Sequence, residues 1–257
     1  MKAYSLFSGS SGNCFYIDGG ETKILIDCGV SAKAAETALR SLGSSLSELS
    51  AIFVTHEHSD HTKGLEVVSK HHHIPVYMTE KTARALISDS CCSLLRDLVL
   101  FEGEFSVQIG ALSVTSFFTP HDSALSVGYT VEKNGVKIGF ATDMGCLCES
   151  VSSALFGCRA AVVESNHDIA MLTLGPYPYD LKCRIRGEKG HLSNDDCARL
   201  CRALASSGTK SLLLAHISKE NNTPALALSA TKTALADYPD TIVAAASPTE
   251  ITELVII

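Results

Sequence analysis

The feature of this sequence that most limits its possible folds is a cluster of histidines and acidic residues directly after a short apolar segment. Residues 51–55 read AIFVT, the pattern of a buried strand, and positions 56–61 read HEHSDH. Alternation along an extended segment puts His56 and His58 on one side, and a turn brings Asp60 and His61 back to a neighbouring point. The segment therefore predicts two adjacent metal sites at the edge of a sheet.

Three more candidate ligands follow other apolar segments. His121 follows FFTP, Asp143 follows GFAT and His216 follows LLLA. Each one alone could be an ordinary polar strand end. Together with the first four, they suit two divalent ions bridged by one carboxylate, with a position left for water. We expect Zn, Mn or Fe, because histidine and carboxylate ligands do not separate these metals.

Short apolar runs alternate with helical patterns along the whole chain. Strands are predicted over 23–27, 51–55, 136–142, Ala160–Glu164, Ser211–Ala215 and 241–246. Helices are predicted over 32–42, 79–90, Asn194–Ser206 and 224–236, with Ser193 and Thr223 as N-caps. Residues 103–131 alternate as antiparallel strands, and Asn134-Gly135 predicts a hairpin turn. We expect mixed sheets with helices outside them.

Composition limits the class of protein and of partner. The chain has 257 residues, of which 46% are hydrophobic, enough for a substantial core. With no Pro-rich or Ser-rich linker, residues 1–257 are expected to form one domain. The net charge of −7 excludes a positively charged surface over the whole protein, so any binding of phosphate must be local. No apolar run approaches the roughly 20 residues that span a bilayer, and the first residues lack a signal-peptide pattern. We expect a cytoplasmic protein without membrane contact, whose oligomeric state the sequence does not indicate.

Three polar segments are candidates for substrate contact. They contain Lys182, Arg184 and Arg186; Ser10, Ser11 and Asn13; and Asn166 and His167. The first segment is a basic strip that precedes GHLSN at 190–194. This strip would contact phosphates or form a solvated loop. The second would be a phosphate cradle or a plain hairpin loop. The third would contact substrate, orient metal ligands or form a polar turn. Asp27, at the end of a predicted strand, is expected to accept a hydrogen bond from a ligand histidine.

The pattern HEHSDH, followed by His121, Asp143 and His216, resembles the metallo-β-lactamase fold hydrolases over nearly the whole chain. That resemblance implies an α/β fold, an αββα sandwich of two mixed β-sheets flanked by helices, with the metals at one edge between the sheets. It also implies the ligand sets, namely His56, His58 and His121 for the first ion, Asp60, His61 and His216 for the second, and Asp143 as the bridge.

Two further segments point to one branch of that family. GPYPY at 175–179 and GHLSN at 190–194 resemble the YycJ/WalJ-type branch, whose members are DNA-processing 5′-to-3′ exonucleases. GHLSN and LLLAHIS at 212–218 are also similar to tRNA 3′-processing ribonucleases, in which a histidine at the position of His191 is a proton donor.

The resemblance therefore implies a phosphodiesterase that acts on nucleic acid, with DNA favoured over RNA and two divalent ions as cofactors. Asp60 and His191 are the expected catalytic residues, and a hydroxide that bridges the ions is the expected nucleophile. Two alternatives remain open. One is a glyoxalase-type thioesterase or a lactamase that acts on a small substrate with the same metals. The other is a metal-binding regulatory module without catalysis.

Overall fold

A computed structural model describes residues 1–88 and 96–256. In this part of the chain, two seven-stranded sheets form the centre of the fold. The first contains Lys2–Phe7 (β1), Cys14–Asp18 (β2), Lys23–Ile26 (β3), Ala51–Phe53 (β4), Val76–Thr79 (β5), Leu98–Phe101 (β6) and Thr252–Leu254 (β14). The second contains Ser106–Ile109 (β7), Leu112–Phe118 (β8), Val127–Lys133 (β9), Val136–Ala141 (β10), Ala160–Glu164 (β11), Ser211–Ala215 (β12) and Ile242–Ala245 (β13). Their strand orders are β14-β1-β2-β3-β4-β5-β6 and β13-β12-β11-β10-β9-β8-β7.

The helices of the described residues are Ala32–Ser41 (α1), Ser59–Thr62 (α2), Leu65–His72 (α3), Glu80–Ser88 (α4), Glu149–Leu155 (α5), Ile169–Leu174 (α6), Tyr179–Arg186 (α7), Asn194–Ser206 (α8) and Pro224–Ala234 (α9). The helix predicted over 194–206 is confirmed at both ends. Its N-cap Ser193 accepts from the Asp196 amide at 3.1 Å, and Thr223 caps α9 in the same way. Residues 89 and 90 of the predicted helix 79–90 lie outside the described residues.

Both sheets are mixed, as predicted. Strands β7 to β10 are antiparallel neighbours, whereas β10 to β13 run parallel. Between β9 and β10, Asn134 and Gly135 have φ values of 53° and 76°, and the two positive angles confirm the predicted hairpin turn. In the first sheet, β3, β4 and β5 are parallel. Parallel neighbours bring their carboxyl ends to one edge of each sheet.

The core has three layers of apolar contacts. Side chains from both sheets, such as Phe53, Tyr129 and Leu213, form the central layer. Helices α1, α3 and α4 pack on the outer face of the first sheet, and α5, α8 and α9 pack on that of the second. The arrangement is the expected αββα sandwich. Within the described ranges, no helix is long and apolar enough to cross a membrane.

Candidate metal centre

Five of the predicted metal ligands lie on loops that follow strands of both sheets, and Asp60 and His61 lie on the short helix α2. His56 and His58 follow β4 in the first sheet, while His121, Asp143 and His216 follow β8, β10 and β12 in the second. Loops at the carboxyl ends of parallel strands are a common place for ligand sites, because the side chains of several strands converge there.

Two of these ligands, together with Asp27 after β3, have an uncommon backbone conformation. The φ angles of Asp27, Asp143 and His216 are 61°, 59° and 52°, in the left-handed region that side chains other than glycine rarely adopt. Such residues cost free energy and persist only where their surroundings hold them. Here the conformation turns the backbone sharply at each of the three strand ends, where the side chain of the residue joins the cluster.

All seven predicted ligands come together. Three sets of predicted ligands have ligand atoms within 4.8 Å of one another: His56, His58 and His121; His56, His61 and Asp143; and Asp60, His61 and His216. A fourth such set joins two predicted ligands to two other residues: Asp143, Glu164, His191 and His216. Within the second set, Nε2 of His61 lies 3.2 Å from Oδ2 of Asp143. Nε2 of His216 lies 3.4 Å from Oδ2 of Asp60. The first and third sets are those that the family resemblance implied, and Asp143 lies next to both.

Hydrogen bonds to Nδ1 orient four of the histidines. The Nδ1 atoms of His56, His61, His121 and His216 contact Thr55 Oγ1 at 3.0 Å, Asp27 Oδ2 at 2.7 Å, the Gly190 carbonyl at 3.0 Å and Glu164 Oε1 at 2.9 Å. Partners of this kind fix the tautomer and leave Nε2 as the metal-binding atom. The contact between Asp27 and His61 is the one that the sequence predicted.

Two buried atoms of the cluster have no hydrogen-bond partner. They are Nε2 of His56 and Oδ2 of Asp143. A buried polar atom without a partner is costly, and a divalent cation would satisfy both atoms. Burial also lowers the pKa of His56 well below its ordinary value, which keeps the ring in the neutral form that binds metals. The residues present therefore fit a divalent metal.

Glu164, the last residue of β11, holds the second half of the site in place. It is fully buried, and its carboxylate accepts four hydrogen bonds. Oε1 accepts from Nδ1 of His191 at 2.8 Å and from Nδ1 of His216 at 2.9 Å. Oε2 accepts from the amides of Met144 at 2.9 Å and Leu192 at 3.1 Å. Burial raises the pKa of Glu164, but the charge and hydrogen bond of His191 outweigh it and lower the pKa to about 2.

Glu164 begins the polar segment 164–168, for which the sequence leaves open substrate contact, orientation of metal ligands or a polar turn. The available signal was a carboxylate that ends the otherwise apolar segment AAVVE. A buried charge at that place needs several donors, and the surrounding loops supply them.

His191 lies between the ligand cluster and solvent. Nδ1 is fixed by Glu164, and the side chain is 23% exposed. Burial lowers the pKa of His191, but the charge of Glu164 and its hydrogen bond outweigh this effect and leave the pKa above its ordinary value. The ring lines a pocket of about 170 Å³ together with polar and aromatic side chains, among them Ser10, Asp122, Asn166, Tyr177, Arg184 and Ser218. The pocket thus has several polar side chains and lies beside the ligand cluster.

The serines and the asparagine of the segment 8–13 have different surroundings. The segment connects the antiparallel strands β1 and β2, so it is a hairpin loop. Ser10 and Ser11 are exposed, and Ser10 lines the pocket beside His191. Asn13 is fully buried, and its amide closes the loop through Gly9 and lies 3.1 Å from Nε2 of His61. Asn13 therefore helps to hold His61 in position.

Asn166 and His167 are both buried. Nδ2 of Asn166 donates to the His216 carbonyl at 2.9 Å, and the residue also lines the pocket. His167 is 2% exposed, and its Nδ1 has no hydrogen-bond partner. Burial lowers the pKa of His167 to about 4. Of the two, only Asn166 borders space that a substrate can enter.

The basic strip is a helix rather than a loop. Lys182 and Arg186 lie one turn apart on α7 and border a cavity of about 250 Å³. Arg184 lines the pocket beside His191, where its Nε donates to Oδ2 of Asp122 at 2.5 Å. No residue of α7 is buried, so the helix covers the pocket edge without entering the core. The three cations therefore do not form one continuous surface.

Sequence comparison identifies the family. The model of the β-lactamase superfamily domain matches residues 22–217. Exodeoxyribonuclease YycJ of Bacillus anthracis is 37% identical to this chain over 225 residues, which are 86% of this chain and 84% of the relative.

Solved structures show the same fold. The metallo-β-lactamase fold protein YhfI of Bacillus subtilis has a TM-score of 0.74 at 14% identity, with 98% of each chain covered. The short form of human tRNase Z has a TM-score of 0.67 at 16% identity, with all of both chains covered. At such identities the likeness concerns the fold alone.

Proposed function

The chain belongs to the β-lactamase superfamily and, within it, to the YycJ/WalJ branch, and is a metal-dependent hydrolase; we propose that it degrades DNA from an end, as a phosphodiesterase with two bound divalent ions. The observation that carries this proposal is the pair of His191 and Glu164 beside the ligand cluster. It supplies a fixed, partly exposed proton donor next to the place where a phosphodiester would be cleaved.

The chain provides two ligand sets for the ions. His56, His58 and His121 would hold the first ion, Asp60, His61 and His216 would hold the second, and Asp143 lies where it could serve both. Divalent ions bound there would supply positive charge and a metal-activated water. The chain's own residues keep the histidines in the right tautomer, through the Nδ1 contacts described above.

His191 donates the proton to the departing oxygen. Its Nδ1 bond to Glu164 leaves Nε2 as the free ring atom, and the carboxylate stabilises the protonated ring. A sugar alkoxide is a poor leaving group, so that a positioned acid accelerates its departure by roughly 10²–10⁴-fold. This need distinguishes cleavage of DNA from cleavage of an activated ester.

The pocket and α7 favour a nucleic-acid substrate. Arg184 borders the same pocket as His191, and Lys182 and Arg186 border the next cavity along α7. These cations form a local grip on phosphates in a chain of net charge −7. The relative from Bacillus anthracis is named an exodeoxyribonuclease. We therefore propose DNA before RNA, and digestion in the 5′-to-3′ direction.

The test of this function compares two substrates in the variant His191→Ala. Hydrolysis of DNA should fall roughly 10²–10⁴-fold, while hydrolysis of bis-p-nitrophenyl phosphate should fall little, because p-nitrophenolate leaves without a proton. Metal content is measured in the same preparations. His72→Ala, at an exposed position on α3, is the matched control.

Strands labelled at the 5′ or the 3′ end, as single- and double-stranded DNA and RNA, establish the substrate and the direction. A thioester and a β-lactam are assayed beside them. Equal losses on DNA and on the activated ester in His191→Ala would contradict a proton-donor role. Turnover of the thioester or the lactam without turnover of DNA would overturn the proposed function.

A further inference from the structure

A second pocket adjoins the site and has no role in the chemistry above. It has a volume of about 480 Å³, within the roughly 300–1,000 Å³ of typical small-molecule sites. Four segments surround it: 8–11 after β1, 217–219 after β12, 222–224 at the start of α9, and 246–248 after β13. We call it the side pocket.

The side pocket is adjacent to the pocket beside His191. Ser10 and Ser218 line both of them. Ser8, on the wall of the side pocket, accepts a hydrogen bond from the backbone amide of His216 at 2.8 Å. A group bound in the side pocket would therefore lie directly beside the ligand set of Asp60, His61 and His216.

Buried residues form the inner wall of the side pocket. Ser8, Asn222 and Ala246 are at most 4% exposed. Asn222 is held by hydrogen bonds from Nδ2 to the Ser165 carbonyl and to Oδ1 of Asn194, both at 2.8 Å. These contacts fix the position of the inner wall relative to β11 and α8.

The lining favours a neutral, flat group with a polar edge. Ile217, Pro224, Ala246 and Pro248 supply apolar surface, and Ser10 and Ser11 supply exposed hydroxyls. Among the lining residues, all of which lie in the described part of the chain, only Lys219 is charged. One exposed lysine is a weak site for a phosphate, whereas apolar faces and hydroxyls match the faces and edges of a nucleobase.

We propose that the side pocket binds the terminal nucleoside of a DNA strand, while the adjoining phosphodiester lies at His191 and the metal ligands. This proposal rests on the proposed function and adds to it how the enzyme recognises an end. A pocket with room for one nucleoside beside the cleavage point would favour a strand with a free end, and each cut would release one terminal unit.

The experiment measures the dependence of cleavage on the terminal base. Single-stranded DNA with a normal terminal nucleotide is compared with the same strand whose terminal nucleotide is abasic, at the end from which digestion starts. For the wild-type protein with its metals, the abasic end should be cut about tenfold or more slowly, the loss expected for one lost base contact of about 1.4 kcal/mol or more. The ratio of the two rates within one protein does not depend on metal loading.

Two variants place a large side chain in the side pocket from different lining segments. In Pro248→Trp and in Ser11→Trp, the rate ratio between normal and abasic ends should fall to near one, because the indole occupies the space of the base. Thr249→Trp is the matched control, since Thr249 is exposed and adjacent to Pro248 but does not line the side pocket. It should keep the wild-type ratio.

Distinct outcomes overturn the two proposals. If wild-type protein digests DNA but cuts normal and abasic ends at equal rates, the side pocket does not bind the terminal base and the proposed function stands. The same holds if both filled variants keep the wild-type ratio. If wild-type protein hydrolyses bis-p-nitrophenyl phosphate but no DNA, the proposed function fails and the subsite proposal fails with it.

Discussion

Replacement of Glu164 by glutamine tests how the chain positions the site, because it removes a charge and almost no volume. The carboxylate accepts from two imidazoles through Oε1 and from two backbone amides through Oε2. A glutamine has one acceptor oxygen and one NH₂ donor in their place. In either orientation of the amide, two of the four donors face another donor.

Each orientation of the glutamine amide predicts a loss of stability or of metal affinity. If the NH₂ faces the amides of Met144 and Leu192, two buried donors lose their partner, at roughly 1–3 kcal/mol each. If it faces the imidazoles, Nδ1 of His216 must become an acceptor, which puts the proton on Nε2, the atom available for a metal. We therefore expect the free energy of unfolding to fall by at least about 2 kcal/mol, and metal affinity and kcat to fall roughly 10–100-fold.

Denaturant unfolding, metal content after dialysis against a chelator, and kcat on DNA measure these effects in Glu164→Gln. Glu132→Gln, which removes an exposed carboxylate on β9, is the control and should change none of them. The fall in kcat should also appear with bis-p-nitrophenyl phosphate, because the lost metal is needed for both substrates. Metal content and kcat within about twofold of wild type would refute a positioning role for Glu164.

Two further predictions concern the metals and the basic helix. Asp60→Ala should reduce bound metal from two equivalents towards one and nearly abolish turnover with the circular dichroism spectrum unchanged, and two retained equivalents would mean that Asp60 is not a ligand. Replacement of Lys182 and Arg186 together by alanine should reduce the slope of log affinity for DNA against log salt by about 0.7–0.9 per lost phosphate contact, whereas Lys81→Ala on α4 should leave it unchanged. An unchanged slope in the double variant would mean that these cations do not contact DNA.

The sequence predicts those parts of the site that local spacing determines. The segment HEHSDH, the strand ends at His121, Asp143 and His216, and the Asn134-Gly135 turn each follow from residues close to one another in the chain. The sandwich follows as well, because apolar runs and amphipathic patterns alternate regularly. Helix 194–206 is predicted to the residue, since Ser193 marks its start and the apolar spacing its length.

Local spacing does not predict contacts between segments that are distant in the chain. Helix α7 has no fully buried residue, and Leu181 and Ile185 are its only aliphatic pair, so its sequence looks like a charged loop. That Arg184 faces Asp122, 62 positions away, depends on how α7 lies across the pocket. Likewise, the sequence marks the segment that begins at Glu164, but its contacts with His191 and His216 depend on the loops that bring these histidines to it.

The metal-binding segment itself depends on two other loops. The Asn13 amide donates to the Asp60 carbonyl at 2.7 Å, and the Cys28 amide donates to the His61 carbonyl at 2.9 Å. A Cβ atom on Gly29 would lie 1.6 Å from the Asp60 carbonyl oxygen, so only glycine fits between these loops. Because the backbone of 13, 28 and 29 fixes the turn at Asp60 and His61, the six residues HEHSDH do not set the position of their own ligand atoms. The spacing of the segment identifies a metal centre, and the strand ends packed against it determine its geometry.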